Sequence, residues 1–450
     1  MLFSRREFIK IVVPLVIEQL LAVTIGMMDS MMVSSAGEAA ISGVSLVDTF
    51  NLLLVYMFGA LATGGSVVIS QTLGRRDLDG ARNAAKQLIL CVVAVSCGIT
   101  AIAVGFRKPL LRLIFGSIEA DVMANALIYF LFTALSYPFL GLYNSGAAIF
   151  RAMGNSRISM LASLLMNVIN VCGNALLIFV FHMGAAGAAI ATLFSRVVGA
   201  ALMQVLLHNR RNPVYVEKLL KTKPDWAVIK RICGIGIPNG LENSMFQLGK
   251  VLTQSLISTF GTVQIAANAV GNAVTALQYI PGTAIGMASI TIVGRCVGAL
   301  EKEQAKKYAR ILLGLAYGLI LCVSLVIVIF MEQIIGLYGL SEASAEFARK
   351  IIFLHSICVC TIWPLAFTIP NSFRAASDVR YTMVISILSM WIFRVGLSYV
   401  FGQYLQMGVL GVWVAMFCDW LFRGVLFLIR FLRGTWLTKY HAIGKAASRR

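Results

Sequence analysis

Residues 14–33 read PLVIEQLLAVTIGMMDSMMV, an apolar stretch long enough to cross a bilayer that nevertheless carries two carboxylates, Glu18 and Asp29. At the rotation and rise of an α-helix, both side chains lie on one helix face, about 16 Å apart along the axis. A charge inside the hydrocarbon costs on the order of 3 kcal/mol or more, and such a residue usually marks a functional site. We therefore expect other segments of the chain to place polar or charged partners around these two carboxylates.

The composition indicates a membrane protein. The chain has 450 residues, of which 59% are hydrophobic and only 13% charged, and its mean hydropathy is +0.85. Soluble domains are about a quarter charged, so these values predict an all-α polytopic membrane protein. The formal net charge of +19 comes mainly from Lys and Arg in short loops between apolar runs, which is typical of membrane orientation and not of nucleic-acid binding.

Twelve apolar segments are long enough to be transmembrane helices: 10–33, 41–73, 85–105, 121–150, 158–182, 185–208, 228–260, 264–294, 308–331, 346–371, 382–402 and 407–432. Five prolines within them predict bends: Pro14, Pro138, Pro238, Pro281 and Pro364. With the N-terminus inside, 29 of the 38 Lys and Arg residues fall on the inner side and 5 on the outer side. Both termini are therefore predicted to be cytoplasmic.

The chain repeats itself at a nearly constant offset. Three matches carry the repeat: Pro14-x3-Glu18 with Pro238-x3-Glu242 (offset 224), RAMGNSR at 151–157 with RAASDVR at 374–380 (223), and GAAG at 184–187 with GVLG at 408–411 (224). We predict two pseudo-symmetric six-helix bundles, at 1–208 and 228–450 (the latter with a cytoplasmic tail), joined by a cytoplasmic linker at 209–227. Six is even, so both halves point the same way, as in many secondary transporters.

These features resemble the multidrug and toxic compound extrusion (MATE) family. Five segments carry the resemblance: MMDSMMVSSAGEAAISGVSL, ISQTLGRRDLDGAR, IFRAMGNSR, NVINVCGNALLIF and GAAGAAIATLFSR. Each segment is only moderately specific, but their order and the twofold repeat extend the resemblance over about residues 8–435. It implies two bundles that rock against each other and export organic compounds by cation antiport.

The fifth predicted span carries three asparagines at spacings of three and four, which places Asn167, Asn170 and Asn174 on one helix face. Asn174 and Thr192 of the sixth span lie at similar depth below the outer turn, and Asp29 lies at a comparable level. Oxygen ligands suit a hard cation and a buried carboxylate suits a proton, so we predict a cation-coupling site here. The alternative is that the asparagines only join helices, which we favour for Asn167.

The resemblance implies the same site. In the DinF-like branch the cation site uses four positions that match this chain: Asp29, Asn170, an Asp in the place of Asn174, and Thr192. The missing second carboxylate leaves the coupling ion open between H⁺ and Na⁺, with Na⁺ bound at Asp29 if sodium is used. The NorM-like branch uses a Glu and an Asp at positions occupied here by Phe246 and Trp363. The chain is therefore predicted to be closer to the DinF-like branch.

Other charges within the spans allow two interpretations. We predict a substrate cavity lined by Glu18, Glu242, Met28, Tyr137 and Phe246. Glu18 and Glu242 occupy equivalent places near the middle of the membrane, and the alternative is that they form structural pairs with helix ends or with Arg196 or Lys250. A second group is predicted to be a compensated, structural cluster: Asp419 with Arg423, four residues apart, and Arg394 from the neighbouring helix. Asp48 lies near the outer end of the second span, either at a cavity mouth or in solvent.

Three functions compete at this point. The first is a secondary multidrug exporter coupled to H⁺ or Na⁺, and the second is a flippase or exporter for a lipid-linked or other specific amphipathic metabolite. The third, a membrane enzyme, lacks any paired-Asp motif or His cluster, so we predict no enzymatic activity and no cofactor. The expected partners are small organic molecules and membrane lipids, not nucleic acid, and the expected state is a monomer in the cell membrane.

Overall fold

The computed structural model describes residues 3–35, 37–116 and 119–437, and all secondary structure in these ranges is helical. The first half contains eight α-helices: α1 Arg5–Ser34, α2 Glu38–Gly74, α3 Leu78–Gly105, α4 Arg107–Phe115, α5 Ala120–Leu135, α6 Tyr137–Ala152, α7 Ser156–Asn174 and α8 Gly184–Leu207. A π-helical segment, Ala175–Val180, continues α7 toward the outer turn. A short 3-10 helix, Leu219–Lys221, lies in the loop that follows α8.

The second half contains nine further α-helices: α9 Trp226–Ser258, α10 Thr262–Gln278, α11 Ile280–Gly298, α12 Lys302–Ile329, α13 Met331–Leu337, α14 Glu342–Thr361, α15 Ile369–Ala375, α16 Val379–Ser389 and α17 Gly408–Arg433. Three π-helical segments interrupt them: Pro364–Thr368, Met390–Gly396 and Tyr399–Tyr404. The 3-10 helix Thr435–Leu437 ends the described chain, and the predicted tail at 438–450 lies outside the described residues.

The described helices form twelve transmembrane segments, as the sequence predicts. Eight segments are individually long and apolar enough to span, and two more are bent pairs, α5 with α6 and α14 with the segment 364–375. The helices α1 and α9, of 30 and 33 residues, complete the twelve. The fold is therefore an all-α membrane protein built from two groups of six segments.

The predicted repeat is confirmed at the level of individual helix ends. Helix α12 begins and ends 224 residues after α3 begins and ends, which is the offset of the Pro-x3-Glu repeat. The start of α10 stands at the same offset from the start of α2, and the end of α11 from the end of α2. The π-helical segment Tyr399–Tyr404 corresponds in the same way to Ala175–Val180. Because helix ends and one π-helical segment recur at the same offset, the two halves follow one six-helix design.

The prolines act differently according to their place in a helix. The helix bends by 44° between α5 and α6, at Ser136, two residues before Pro138, and by 57° after α14, where Pro364 follows. The helix is also interrupted at Tyr279, two residues before Pro281. Pro14 and Pro238, by contrast, lie inside continuous helices. A proline removes one backbone donor, and a helix is broken only where the freed carbonyl finds other partners.

Two compact units divide the chain, one of residues 3–240 and one from Leu241 onward. The inner part of α9 belongs to the first unit because it packs closely on α2. A Cβ on Gly64 would lie 2.5 Å from the Ile232 carbonyl oxygen and 2.9 Å from the Gly236 nitrogen, so this helix crossing requires small residues. The boundaries predicted from the sequence, with bundles at 1–208 and 228–450 and a linker at 209–227, remain a prediction.

Candidate cation site and charged pockets

The Asp29 side chain faces a cavity inside the N-terminal unit. The cavity has a volume of about 180 Å³, enough for several water molecules, and its polar lining consists of Asp29, Ser45, Asp48, Tyr129, Asn174 and Thr192. The lining residues come from α1, α2, α5, α7 and α8. Four helices therefore surround the one carboxylate that the sequence places at this depth in α1.

Two amides hold the Asp29 carboxylate. Asn174 Nδ2 donates to Asp29 Oδ1 at 2.8 Å. In the orientation that satisfies its neighbours, Asn170 Nδ2 donates to Asp29 Oδ1 at 2.8 Å and to Oδ2 at 3.0 Å, while its oxygen accepts from the Thr192 hydroxyl at 3.2 Å. The structure thus brings together the four residues that the sequence analysis groups. Asn167 lies apart, with Ser163 Oγ as its partner at 3.4 Å.

A π-helical turn begins directly after Asn174. In helix α7 the spacing of four keeps Asn170 and Asn174 on one face, and both are buried, with 7% and 1% of their surface exposed. The segment Ala175–Val180 then widens the helix. Wide turns of this kind often occur at functional sites, because they turn a side chain away from its regular position.

The site has unused capacity to bind a cation. Within the described ranges, Asp29 forms no ion pair, and the buried oxygen Asn174 Oδ1 has no hydrogen-bond partner. A carboxylate that accepts hydrogen bonds from amides and forms no ion pair is neutralised either by a proton or by a small cation. An amide presents N–H to the charged carboxylate and its oxygen to a metal ion, so the same residues can serve both states.

Asp48 and Tyr129 also belong to this cavity. The sequence analysis left Asp48 open between a cavity mouth and solvent, and it did not name Tyr129. Tyr129 Oη donates to Asp48 Oδ1 at 2.9 Å, and Asn51 Nδ2 donates to the same oxygen at 3.3 Å. Tyr137 Oη in turn donates to Asn51 Oδ1 at 2.6 Å. Asp48 is therefore held by neutral donors at the cavity wall, although its surface remains exposed. Its polar neighbour Asn51, one helical turn away in α2, is the signal that sequence reasoning could have used.

Glu18 and Glu242 form equivalent buried ion pairs. Arg151 Nη1 lies 3.1 Å from Glu18 Oε1, and Arg374 Nη2 lies 2.8 Å from Glu242 Oε1. Ser159 Oγ also donates to Glu18 Oε2 at 2.8 Å. The partners are neither Arg196 nor Lys250 but arginines in the last turns of α6 and α15, so of the alternatives given for pairing the one with helix ends fits. Both acids are thus compensated.

The other predicted cavity residues lie in different surroundings. Tyr137 is fully buried among the core residues of the N-terminal unit, so the structure places it in packing and not on a cavity wall. Met28 is 41% exposed. Phe246 lies among three basic groups, with its ring centroid 5.1 Å from Arg394 Cζ, 5.8 Å from Arg423 Cζ and 6.0 Å from Lys250 Nζ.

The predicted cluster around Asp419 is only partly as expected. Arg423 Nη2 lies 2.7 and 2.9 Å from the two Asp419 oxygens, and Ser389 Oγ donates to Asp419 Oδ1 at 2.5 Å. The pair of Asp419 and Arg423 is thereby confirmed. In the described part of the chain Arg394 forms no ion pair with Asp419, because Arg423 and Ser389 already occupy the carboxylate.

Comparison with known proteins gives the family. The MatE family model matches residues 14–176 and 238–400, two stretches that stand at the same offset as the sequence repeat. The chain belongs to the MatE family. The two matched stretches cover both halves of the repeat, and MatE proteins are transporters, not enzymes. The resemblance stated from the sequence is thereby confirmed.

Curated MatE relatives match over nearly the full chain. A probable multidrug resistance protein NorM of Thermotoga maritima is 26% identical over 442 residues, which cover 96% of this chain and 93% of the relative. The uncharacterized transporter YisQ of Bacillus subtilis is 26% identical, with 95% of this chain and 94% of the relative covered. Both alignments run over nearly the full length of the two proteins.

Solved structures agree with the fold. A crystal structure of MATE in the bent conformation superimposes with a TM-score of 0.87 at 21% identity, covering 99% of this chain and 97% of that chain. An outward-facing multidrug resistance MATE family transporter of the MOP superfamily gives 0.89 at 20% identity, covering 98% and 96%. At this identity the comparison establishes the MatE fold and nothing finer.

Proposed function

We propose that this MatE protein is a secondary active exporter that moves organic compounds, cationic or amphipathic, against the entry of H⁺ or Na⁺. One observation carries the proposal: Asp29 is a carboxylate without an ion pair in the described transmembrane unit, held by two amides beside a cavity. Such a group binds a proton or a cation reversibly, whereas a structural carboxylate would have a basic partner.

Neutralisation of Asp29 is the proposed coupling step. When the carboxylate is charged, Asn170 and Asn174 satisfy it, and α1 is held against α7 and α8 through these bonds. A bound proton or Na⁺ neutralises Asp29 and changes which amide atoms point toward the carboxylate. The position of α1 that is favoured with a charged Asp29 therefore differs in free energy from the one favoured with a neutral Asp29. A ligand that binds one state better than the other shifts the population toward that state, and this links ion entry to substrate release.

Transport in vesicles tests the proposed function. Purified protein in liposomes is expected to move ethidium, a permanent organic cation, when either a proton or a sodium gradient is imposed, and to stop when the gradient is dissipated. Ethidium fluorescence on trapped DNA reports the movement. Protein-free liposomes are the control, and equal rates with and without both gradients would refute cation coupling.

The identity of the coupling ion is tested by restoring the second carboxylate. Asn174→Asp places two carboxylates within about 3 Å of each other, and such a pair cannot hold both charges without a cation. We expect the apparent affinity for Na⁺ to rise by about tenfold, measured as the Na⁺ dependence of ethidium export at fixed pH. Asn167→Asp, on the same helix but apart from Asp29, is the matched control and should leave the Na⁺ dependence unchanged. An unchanged Na⁺ dependence in Asn174→Asp contradicts the assignment.

The branch of the family is also part of the proposal. We propose that the coupling site lies in the N-terminal unit, as in DinF-like members, since Phe246 and Trp363 replace the acids that the NorM-like branch uses. The names of the relatives, among them NorM, do not decide this point, because a name records an overall likeness and not the residues at one site.

The membrane location and orientation are proposed from the charges of the loops. Basic residues concentrate on the side that carries the loop after α8, so we propose the cell membrane with both termini in the cytoplasm. A reporter fused at Lys218 should be cytoplasmic and one at Glu342 external, as measured by paired phosphatase and fluorescent-protein fusions. A cytoplasmic signal at Glu342 would mean that the orientation or the number of spans is wrong.

A further inference from the structure

A second pocket, in the C-terminal unit, is the repeat's copy of the Asp29 cavity. Its walls come from α9, α10, α17 and the π-helical segment Met390–Gly396. When 224 is subtracted from its ten lining positions, seven fall on positions that line the Asp29 cavity. The offset is the one that relates the two matched stretches of the family. The two pockets therefore occupy equivalent places in the two halves.

The charges of the two pockets are reversed. Asp29 corresponds to Thr253 and Asp48 to Asn272, so both carboxylates of the first cavity are replaced by neutral groups. Bases stand at two other equivalent positions, where Lys250 takes the place of Gly26 and Arg394 that of Asn170. Among the described residues, the first cavity is lined by two acids and no base, and the second by two bases and no acid.

The two bases have no acidic partner in the described part of the C-terminal unit. No carboxylate there lies within 4.0 Å of Lys250 Nζ or of the Arg394 guanidinium, and both cations lie near the Phe246 ring. The neighbouring acids are engaged elsewhere, Asp419 by Arg423 and Glu242 by Arg374. Because these acids pair with other bases, the pocket around Lys250 and Arg394 is positively charged.

The neutral groups of the pocket also present donors. Trp413 Nε1 donates to Asn268 Oδ1 at 3.0 Å, and Asn268 Nδ2 donates to Gln254 Oε1 at 3.0 Å. These two hydrogen bonds occupy the acceptor oxygens of Asn268 and Gln254 and leave the N–H groups of the Gln254 amide as donors. Gln254 lies on the same helix as Lys250, one turn beyond it. The Lys250 side chain is exposed, about 12 Å from the outer end of α9, and a lysine at such a depth faces a polar cavity and not lipid.

We infer that this pocket binds an anionic group, a carboxylate or a phosphate, and that among the amphipathic compounds the transporter exports it prefers those that carry such a group, that is, zwitterions and organic anions with an apolar body, over plain cations. The pocket's free volume of about 50 Å³ accommodates one such group but not a drug-sized molecule. Ile257, Val412 and Met416 supply the apolar wall beside it. The inference rests on the proposed function and names the substrate class of the same transporter.

Two matched dyes test the inference. Rhodamine 110 carries a free carboxylate, and rhodamine 123 is its methyl ester with the same ring system. We expect purified protein in detergent to bind rhodamine 110 about tenfold more tightly, the order of one partly desolvated ion pair, as measured by fluorescence anisotropy. The double variant Lys250→Gln/Arg394→Gln should lose this preference. Lys307→Gln, which removes an exposed charge at the start of α12, is the matched control and should keep it.

A charge-conserving variant and two competing ligands distinguish the possible explanations of the dye preference. Lys250→Arg/Arg394→Lys retains both charges and should retain the preference, which distinguishes lost charge from lost structure. Displacement of the bound dye by octyl phosphate or by octanoate tells whether a phosphate or a carboxylate is preferred. Equal affinity for the two dyes, no binding of either dye, or a preference that survives in the double variant overturns the inference. Ethidium carries no carboxylate, so its export in vesicles reports on the proposed function alone.

Discussion

Asp29→Asn is expected to abolish gradient-driven export, with a fall of about 10- to 100-fold toward the rate of protein-free liposomes. Asparagine has nearly the same shape, so Asn170 and Asn174 remain nearby, but the site can no longer change its charge. An ion that binds equally to both states of α1, or to neither, cannot bias them. The measurement is initial ethidium export under an imposed proton or sodium gradient, together with the amount and elution profile of the purified protein.

Two aspartates serve as controls for this experiment. Asp121→Asn removes an exposed carboxylate at the start of α5 and should export at the wild-type rate. Asp48→Asn removes the second carboxylate of the same cavity, which Tyr129 and Asn51 already satisfy, and should retain more transport than Asp29→Asn. If Asp29→Asn exports at the wild-type rate while Asp48→Asn does not, the coupling residue is Asp48.

The architecture could be predicted because it depends on local patterns. Apolar length sets the number of spans, and the recurrence of Pro14-x3-Glu18 at 238–242 sets the repeat. The interruptions at Ser136 and Tyr279 could be placed only approximately, since proline weakens a helix without determining whether it breaks. Pro14 and Pro138 have the same chemistry, and only the latter stands beside a bend.

The sequence predicted which site residues share a helix face and a depth, but not which side chains pair between helices. The spacing of Asn170 and Asn174 places both on one face of α7, and equal depth brought Asp29 and Thr192 to the same level. The residues named as partners of Glu18 were wrong because pairing between helices depends on their rotation and on the reach of long side chains. Arg151 was assigned to a loop, yet its guanidinium reaches 3.1 Å from Glu18 across a helix boundary.

The same limit hid the positive pocket of the C-terminal unit. On the sequence, Arg394 stands near Asp419 and Arg423, and a cluster of three compensated charges is the simplest interpretation. In the structure, Arg423 satisfies Asp419, which leaves Arg394 with Lys250 around the pocket. The sequence alone cannot show which base remains unpaired, because the positions of the two guanidinium groups in the folded protein determine which one pairs with Asp419.

Asp419→Asn is expected to have the largest effect on stability, a loss of about 3–5 kcal/mol in the free energy of unfolding. Asp419 is 0% and Arg423 2% exposed, and their three hydrogen bonds measure 2.7, 2.9 and 3.2 Å. An amide cannot compensate the guanidinium, so Arg423 would remain charged in a protein interior where the described chain offers it no other carboxylate. Thermal unfolding of the purified protein, followed by its loss of monodisperse elution, measures the effect.

A paired replacement and a surface pair complete this test. Asp419→Leu/Arg423→Met removes both charges and should recover most of the stability lost in Asp419→Asn, since the cost comes from one unpaired buried charge and not from a missing attraction. Glu303→Gln breaks the exposed pair with Lys306, in which the Glu303 side chain is 82% exposed, and should cost about 1 kcal/mol or less. If Asp419→Asn unfolds at the same temperature as Glu303→Gln, the ion pair of Asp419 and Arg423 does not stabilise the C-terminal unit, and Arg423 must be satisfied in another way.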